Sequence, residues 1–129
     1  LLLRAQAAID VARSAGGGGT PAALRHSTEA LQTWVSENKG DAAAWSLLAQ
    51  GAGLLGLKLR SLRAEAEAAA VRGDLPGAID RLRAAQREAR SGGAKPDFIE
   101  TSIIDARLRD LSAQRRAQIA AARGERERP

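Results

Sequence analysis

The only histidine, His26, is the first residue to question for chemistry, since a neutral imidazole can move protons or ligate a metal near neutral pH. It has no second histidine four residues away, and cysteine is absent, so it completes no zinc set. It reads as a surface or packing side chain. The lack of cysteine also removes thiol nucleophiles and disulfide staples, and leaves both reducing and oxidising compartments open. Ser36, Ser61 and Ser102 offer hydroxyls, but each lies in a segment of helical period with no base placed to activate it. The run Gly16 to Gly19 is not followed by the Lys and Ser/Thr of a phosphate-binding loop, and no strand leads into it, so it reads as a flexible joint. No catalytic, cofactor-binding or metal-ligating residue is therefore expected, and the chain is not read as an enzyme.

The remaining candidates are charged and polar groups that could grip a partner. Arg83, Arg87 and Arg90 stand at four-and-three spacing, which sets them along one side of a helix, and Arg115 with Arg116 adds a second cluster. Net charge is +5, with arginine supplying most of the positive side. Such a ridge can meet phosphates, but no aromatic is interleaved to stack bases. An acidic protein partner or an acidic stretch of the same polypeptide suits it as well. No nucleic-acid partner is expected, and a basic helical nucleic-acid-binding module is kept as an alternative. Gln50, Arg60, Arg63 and Glu67 are the candidate polar contacts of a binding groove. The pairs Arg63 with Glu67 and Asp105 with Arg109 have the four-residue spacing at which opposite charges meet on one helix face.

The elements that must position these groups are helices. Alanine, leucine and arginine dominate, all of them good helix formers, and β-branched residues are sparse. At 129 residues the chain suits one domain with a continuous core. Glycine, proline and aspartate punctuate six segments of helical period. The first spans about Leu2 to Ser14. The second starts with Thr20 as N-cap and Pro21 in the first turn, and carries the stripe Leu24, Thr28, Leu31 and Val35 to about Glu37. Asp41 caps a third, with Trp45, Leu48, Ala49 and Ala52 on one face, which Gly56 ends. A fourth runs from about Lys58 to Arg72 with Leu59, Leu62, Ala66 and Ala69 inward, Arg60, Arg63 and Glu67 outward, and Gly73 as its stop. Asp74 caps a fifth, about Leu75 to Arg90, with Ala78, Ile79, Leu82, Ala85 and Ala89 inward. Ser91 to Pro96 is the next loop. The sixth reaches from near Asp97 to about Ala122. Its apolar residues form two stripes, Phe98, Ile99, Ile103 and Ala106 on one side and Ile104, Leu108 and Leu111 on another. Two stripes need two neighbours: the preceding helices, and either a surface outside this chain or a further turn of a superhelix. Residues 124–129 read as a charged, disordered tail after a domain of residues 1–123. No apolar stretch is long enough to span a membrane. Starting at Leu1, with no signal-peptide pattern, the chain reads as a fragment of a longer protein.

Trp45, Ala49 and Ala52 recur 17 residues later as Leu62, Ala66 and Ala69. This is half of the 34-residue period of a tetratricopeptide (TPR) unit, in which two helices cross closely over small residues. The turn Gly73, Asp74, Leu75, Pro76, Gly77, Ala78 and Ile79 resembles the one inside such a unit. Because no helix pair buries its apolar face alone, stacked neighbours supply the core. The expected fold is all-α, a TPR-like right-handed superhelix of about six antiparallel helices closed by a C-terminal capping helix. An ordinary helical bundle with chance spacing is the alternative. The fourth helix can be read either as the second helix of the unit begun by Trp45 or as the first of the unit completed by Leu75 to Arg90.

Three stretches in order carry a more specific likeness. They are Asp41, Ala44, Trp45, Leu47, Leu48, Ala49 and Gln50; then Arg63, Ala64 and Glu65 through Gly73, Asp74, Ala78, Ile79 and Leu82; then Ile104, Asp105, Ala106, Arg107, Leu108 and Leu111. Together they resemble the C-terminal TPR region of the periplasmic zinc metalloproteases of Gram-negative bacteria, of the β-barrel assembly-enhancing protease type. The resemblance covers about Leu24 to Leu111. It implies an upstream protease domain that holds the zinc through a His-Glu-x-x-His helix, a periplasmic location, and a chaperone-like role in outer-membrane protein assembly and quality control. The implied partners are the outer-membrane assembly machinery, unfolded or stalled outer-membrane proteins, and the protein's own protease domain. A generic TPR scaffold of another complex is the alternative.

Overall fold

The computed structural model describes residues 1–14, 21–91 and 97–127. These form six helices: α1 (Leu2–Ser14), α2 (Pro21–Glu37), α3 (Ala42–Leu54), α4 (Lys58–Val71), α5 (Leu75–Ser91) and α6 (Phe98–Glu127). Among the described residues there is no strand, and no helix is long and apolar enough to cross a membrane. The chain is all-helical, with element bounds within a residue of expectation except at its end. There α6 continues past Ala122 to Glu127, so 124–127, read from sequence as tail, extend the helix. Thr20, the glycine run 16–19 and the loop 92–96 lie outside the described residues.

The punctuation acts through identifiable hydrogen bonds. Asp41 caps α3, its Oδ1 accepting from the Ala44 amide at 3.0 Å, and Asp97 does the same for Glu100 at 3.0 Å. Gly56 and Gly73 end α3 and α4 at φ +77° and +85°. In both turns the glycine N–H reaches back three residues, Gly56 to Gly53 at 3.1 Å and Gly73 to Ala70 at 3.0 Å. The next N–H reaches back five, Leu57 to Ala52 and Asp74 to Ala69, both at 2.9 Å. One turn geometry therefore recurs at the same 17-residue spacing as Trp45 and Leu62. A Cβ on Gly73 would meet nothing within 4 Å, so Gly73→Ala should cost only the backbone strain of about 1–2 kcal/mol, read from denaturant midpoints. A loss near zero would mean that this turn relaxes.

Asp41 also accepts a 2.9 Å hydrogen bond from the Trp34 indole. That bond first, and the Ala44 amide second, hold its carboxyl below the ordinary aspartate value. The folded value lies below the unfolded one, so the stabilisation is complete above about pH 4 and fades as pH falls through the folded value. Asp41→Ala should therefore cost about 0.5–2 kcal/mol at pH 7 and progressively less in acid. A gap between the two proteins that stays constant to pH 3 would contradict this.

Each neighbour in sequence packs against the next, and two next-but-one pairs also touch, α1 with α3 and α4 with α6. Among the described residues, no Cα atom of α2 comes within 8 Å of one in α4, nor one of α3 within 8 Å of one in α5. The buried side chains accordingly fall into two clusters. One joins Ile9 of α1, Leu31 and Val35 of α2, and Trp45 and Leu48 of α3 to Ala64 and Ala68 of α4. The other joins Ala66 and Ala69 of α4 to Ile79 and Leu82 of α5 and Ile104 and Leu111 of α6, with Leu59, Leu62 and Leu108 packed against it. Helix α4 thus forms the wall between two cores and gives alternate alanines to each. It packs on both α3 and α5, the two neighbours that either assignment of α4 to a repeat unit gives it. The buried set Ala44, Trp45, Leu48 and Gly51 recurs 34 residues on as Ala78, Ile79, Leu82 and Ala85. Small residues set the close crossings: a Cβ on Gly51 would lie 2.6 Å from the Thr28 hydroxyl.

Helix α6 is pinned by polar bonds as much as by its leucines. Arg107 grips Glu67 of α4 with two hydrogen bonds of 2.9 and 2.7 Å, and Gln86 of α5 donates to Asp105 at 2.8 Å. Arg63 of α4 donates to Glu100, and this pair is buried, with side-chain exposures of 10% and 5%. Of the two apolar stripes, Ile104, Leu108 and Leu111 face the second core. The other is uncovered at its start, Phe98 and Ile99 being 76% and 78% exposed, whereas Ile103 is 36% exposed and Ala106 half-buried.

Candidate functional site

Because the backbones of α3 and α5 stand apart, a groove opens between them with α4 as its floor. Its volume is about 680 Å³. Small groups make the floor, with Ala68 and Ala69 of α4 and Ala49 and Gly53 of α3 among them, and leave room that larger residues would fill. The charged residues that line it are Arg13 of α1, Glu65 and Arg72 of α4, and Asp74 and Arg81 beside and on α5. All five are already oriented. Arg13 donates to Gln50, Arg72 donates to the Ser46 hydroxyl at 3.2 Å, and Arg81 lies 3.8 Å from Glu65 in an exposed ion pair. Asp74 is held by its cap bond from the Gly77 amide at 2.9 Å. Exposed ion pairs of this kind contribute little to stability and exchange readily for a ligand's charges.

Of the residues singled out from sequence, Gln50 lies in this groove. Arg60 does not: it lines a separate cleft of about 400 Å³ with Leu48, Ala52, Leu55 and Leu57, on the side where α2 crosses α3. Arg63 and Glu67, expected on a polar face and paired with each other, are instead each bonded to α6, at Glu100 and Arg107. They build the scaffold, and Arg63 also stacks over Trp45, 6.0 Å from the ring centre. Asp105 likewise bonds Gln86 across helices, not Arg109 on its own. Arg83, Arg87 and Arg90 are exposed on α5, away from the groove. The repeat positions Trp45, Leu48, Ala49, Ala52, Ala66, Ala69, Ala78, Ile79 and Leu82 are buried, and Leu62 is half-buried.

Arg13, Glu65, Arg72 and Arg81 are groove residues that sequence reasoning missed. One signal was available: Ser46, Gln50 and Gly53 form a polar and small stripe at helical spacing opposite Leu48 and Ala52. The hydroxyls of Ser36, Ser61 and Ser102 all donate to backbone carbonyls, of Thr33, Ala49 and Phe98. His26 is exposed, and among the described residues no group of three His, Asp or Glu is placed to hold a metal. No known protein family, curated protein or solved structure matches the chain.

Proposed function

We propose that this chain is a non-catalytic protein-interaction module of the TPR-like kind, which takes an extended segment of a partner protein in the groove over α4. The observation that carries the reading is the combination of a small-residue floor with a rim of both signs of charge, Arg13, Arg72 and Arg81 against Glu65 and Asp74. An extended backbone needs close approach, which alanine and glycine permit, and its side chains need pairing partners at intervals. The 17- and 34-residue recurrences support a TPR superhelix.

The order of the three resembling stretches supports a narrower reading: the C-terminal part of a periplasmic zinc metalloprotease that acts in outer-membrane protein assembly. In that reading the zinc belongs to the protease domain. The partners are assembly machinery and stalled outer-membrane proteins, and the uncovered stripe of Phe98, Ile99 and Ile103 packs on the protease domain. A His-Glu-x-x-His segment encoded upstream in the same reading frame is expected; its absence would remove the protease while leaving the interaction module.

The groove is tested by filling it. A Cβ on Gly53 has only the Ser61 hydroxyl near it, at 3.4 Å, so Gly53→Trp can project into the groove without disturbing the core. On a tiled array of outer-membrane β-barrel and assembly-machinery peptides, the wild-type chain should select a subset. Gly53→Trp should weaken those peptides about ten-fold or more with an unchanged unfolding midpoint. Selected peptides indifferent to Gly53→Trp would place recognition elsewhere.

A further inference from the structure

Outside the groove, the arginines divide by what they do in the fold. Arg13, Arg63, Arg72, Arg81 and Arg107 each reach an acceptor on another helix. Arg83, Arg115 and Arg116 reach none among the described residues, yet they converge. Arg83 from α5 and Arg115 and Arg116 from α6 line one cleft of about 300 Å³, together with Ile79 and Ile119 and a single acid, Asp80. The helices bring this about by running antiparallel: the Gln86 to Asp105 bond sets the register, which places the first half of α5 beside the middle of α6. Arg115 is half-buried, and Ile119 is 41% exposed although it is a large aliphatic residue. The sequence showed Arg83 and Arg115 with Arg116 as separate clusters; the fold joins them.

We propose that this cleft binds an acidic segment of a partner protein, seating one of its aliphatic side chains against Ile79 and Ile119 and its carboxylates on Arg83, Arg115 and Arg116. Guanidinium groups are suited to this, since their planar forks match a carboxylate with two parallel hydrogen bonds. Three arginines against Asp80 leave the cleft positive, so the bound segment must carry a net negative charge. The cleft holds a few side chains, not a run of stacked bases, and no aromatic lines it. Asp80 would oppose an unbroken line of phosphates, whereas a peptide can space its carboxylates around it. This proposal does not rest on the groove over α4, which lies across different faces of α3, α4 and α5.

The test uses a short labelled peptide of alternating Glu and Leu, titrated by fluorescence anisotropy into the full chain. The expected result is saturable binding that weakens about ten-fold or more in the double variant Arg83→Gln with Arg116→Gln. The matched double variant Arg123→Gln with Arg126→Gln, which removes the same charge from the exposed end of α6, should bind as wild type. Ile119→Ser should weaken the Glu and Leu peptide but not a Glu and Ser peptide of the same length. Unfolding midpoints should not move, because Arg83 and Arg116 make no hydrogen bond or ion pair among the described residues. Equal losses in both double variants would reduce the effect to bulk charge and overturn the proposal. So would tighter binding of a single-stranded oligothymidylate that displaces the peptide, which would assign the cleft to nucleic acid. A loss that follows Gly53→Trp instead would place the peptide in the groove, and the absence of saturation would remove the site altogether.

Discussion

Glu100→Ala should destabilise the chain by about 3–5 kcal/mol, since truncating one member of a buried ion pair strands the charge of the other. Its partner Arg63 is 8% exposed and cannot turn to solvent without abandoning its place over the Trp45 ring. The loss should appear as an earlier denaturant midpoint for the whole transition, with α6 loosened from α4. The complementary experiment separates stranding from pairing: replacing both partners with apolar residues of similar volume, Arg63→Met with Glu100→Leu, should recover most of the stability. If the double variant were as unstable as Glu100→Ala, the pair itself, and not the stranded charge, would be what matters.

Trp45→Ala should cost a similar amount, about 3–5 kcal/mol. The ring is 5% exposed within the first core, and its indole N–H donates to the Lys39 carbonyl at 2.9 Å. Its removal opens a cavity, frees that carbonyl in the loop before α3, and takes away the face on which the Arg63 guanidinium rests. Trp45 and Arg63 touch, so their effects should not add: the double variant Trp45→Ala with Arg63→Met is expected to cost less than the sum of the single changes. Additive losses in urea denaturation would place the two side chains in independent environments. An unchanged midpoint for Trp45→Ala alone would mean that the ring is not a core residue.

The helices were legible because their ends are written locally. Pro21, Asp41, Gly56, Gly73, Asp74 and Asp97 each act within a few residues of themselves, through a first-turn proline, a cap or a left-handed turn, and those signals need no tertiary knowledge. The exception, the extension of α6 to Glu127, falls where Gly124 interrupts an exposed helix that good formers on either side carry on. The site was less legible for the opposite reason. Arg63 and Glu67 have the spacing of a same-helix pair on a solvated face, and an arginine in an alanine-rich helix is most often exposed. Their actual partners lie 37 and 40 residues away, a distance over which a single sequence gives no register. Gln50 was found because the face opposite the Trp45 stripe can be read from period alone. Arg72 and Arg81 were missed because the groove exists only where α3 and α5 part company, and that divergence is a property of packing.

The two cores meet at α4, and the barrier between them is built of methyl groups: Ala64 and Ala68 face one, Ala66 and Ala69 the other. A wall one helix thick transmits disturbance poorly when it is stiff and readily when it must shift, because neither core can repack there without moving the backbone that serves the other. Substituting any of these alanines with a longer side chain would therefore be a two-sided event: the half that receives the bulk is strained directly, and the half behind the wall is strained by displacement. Enlarging a side chain should therefore be tolerated least along this single thin partition.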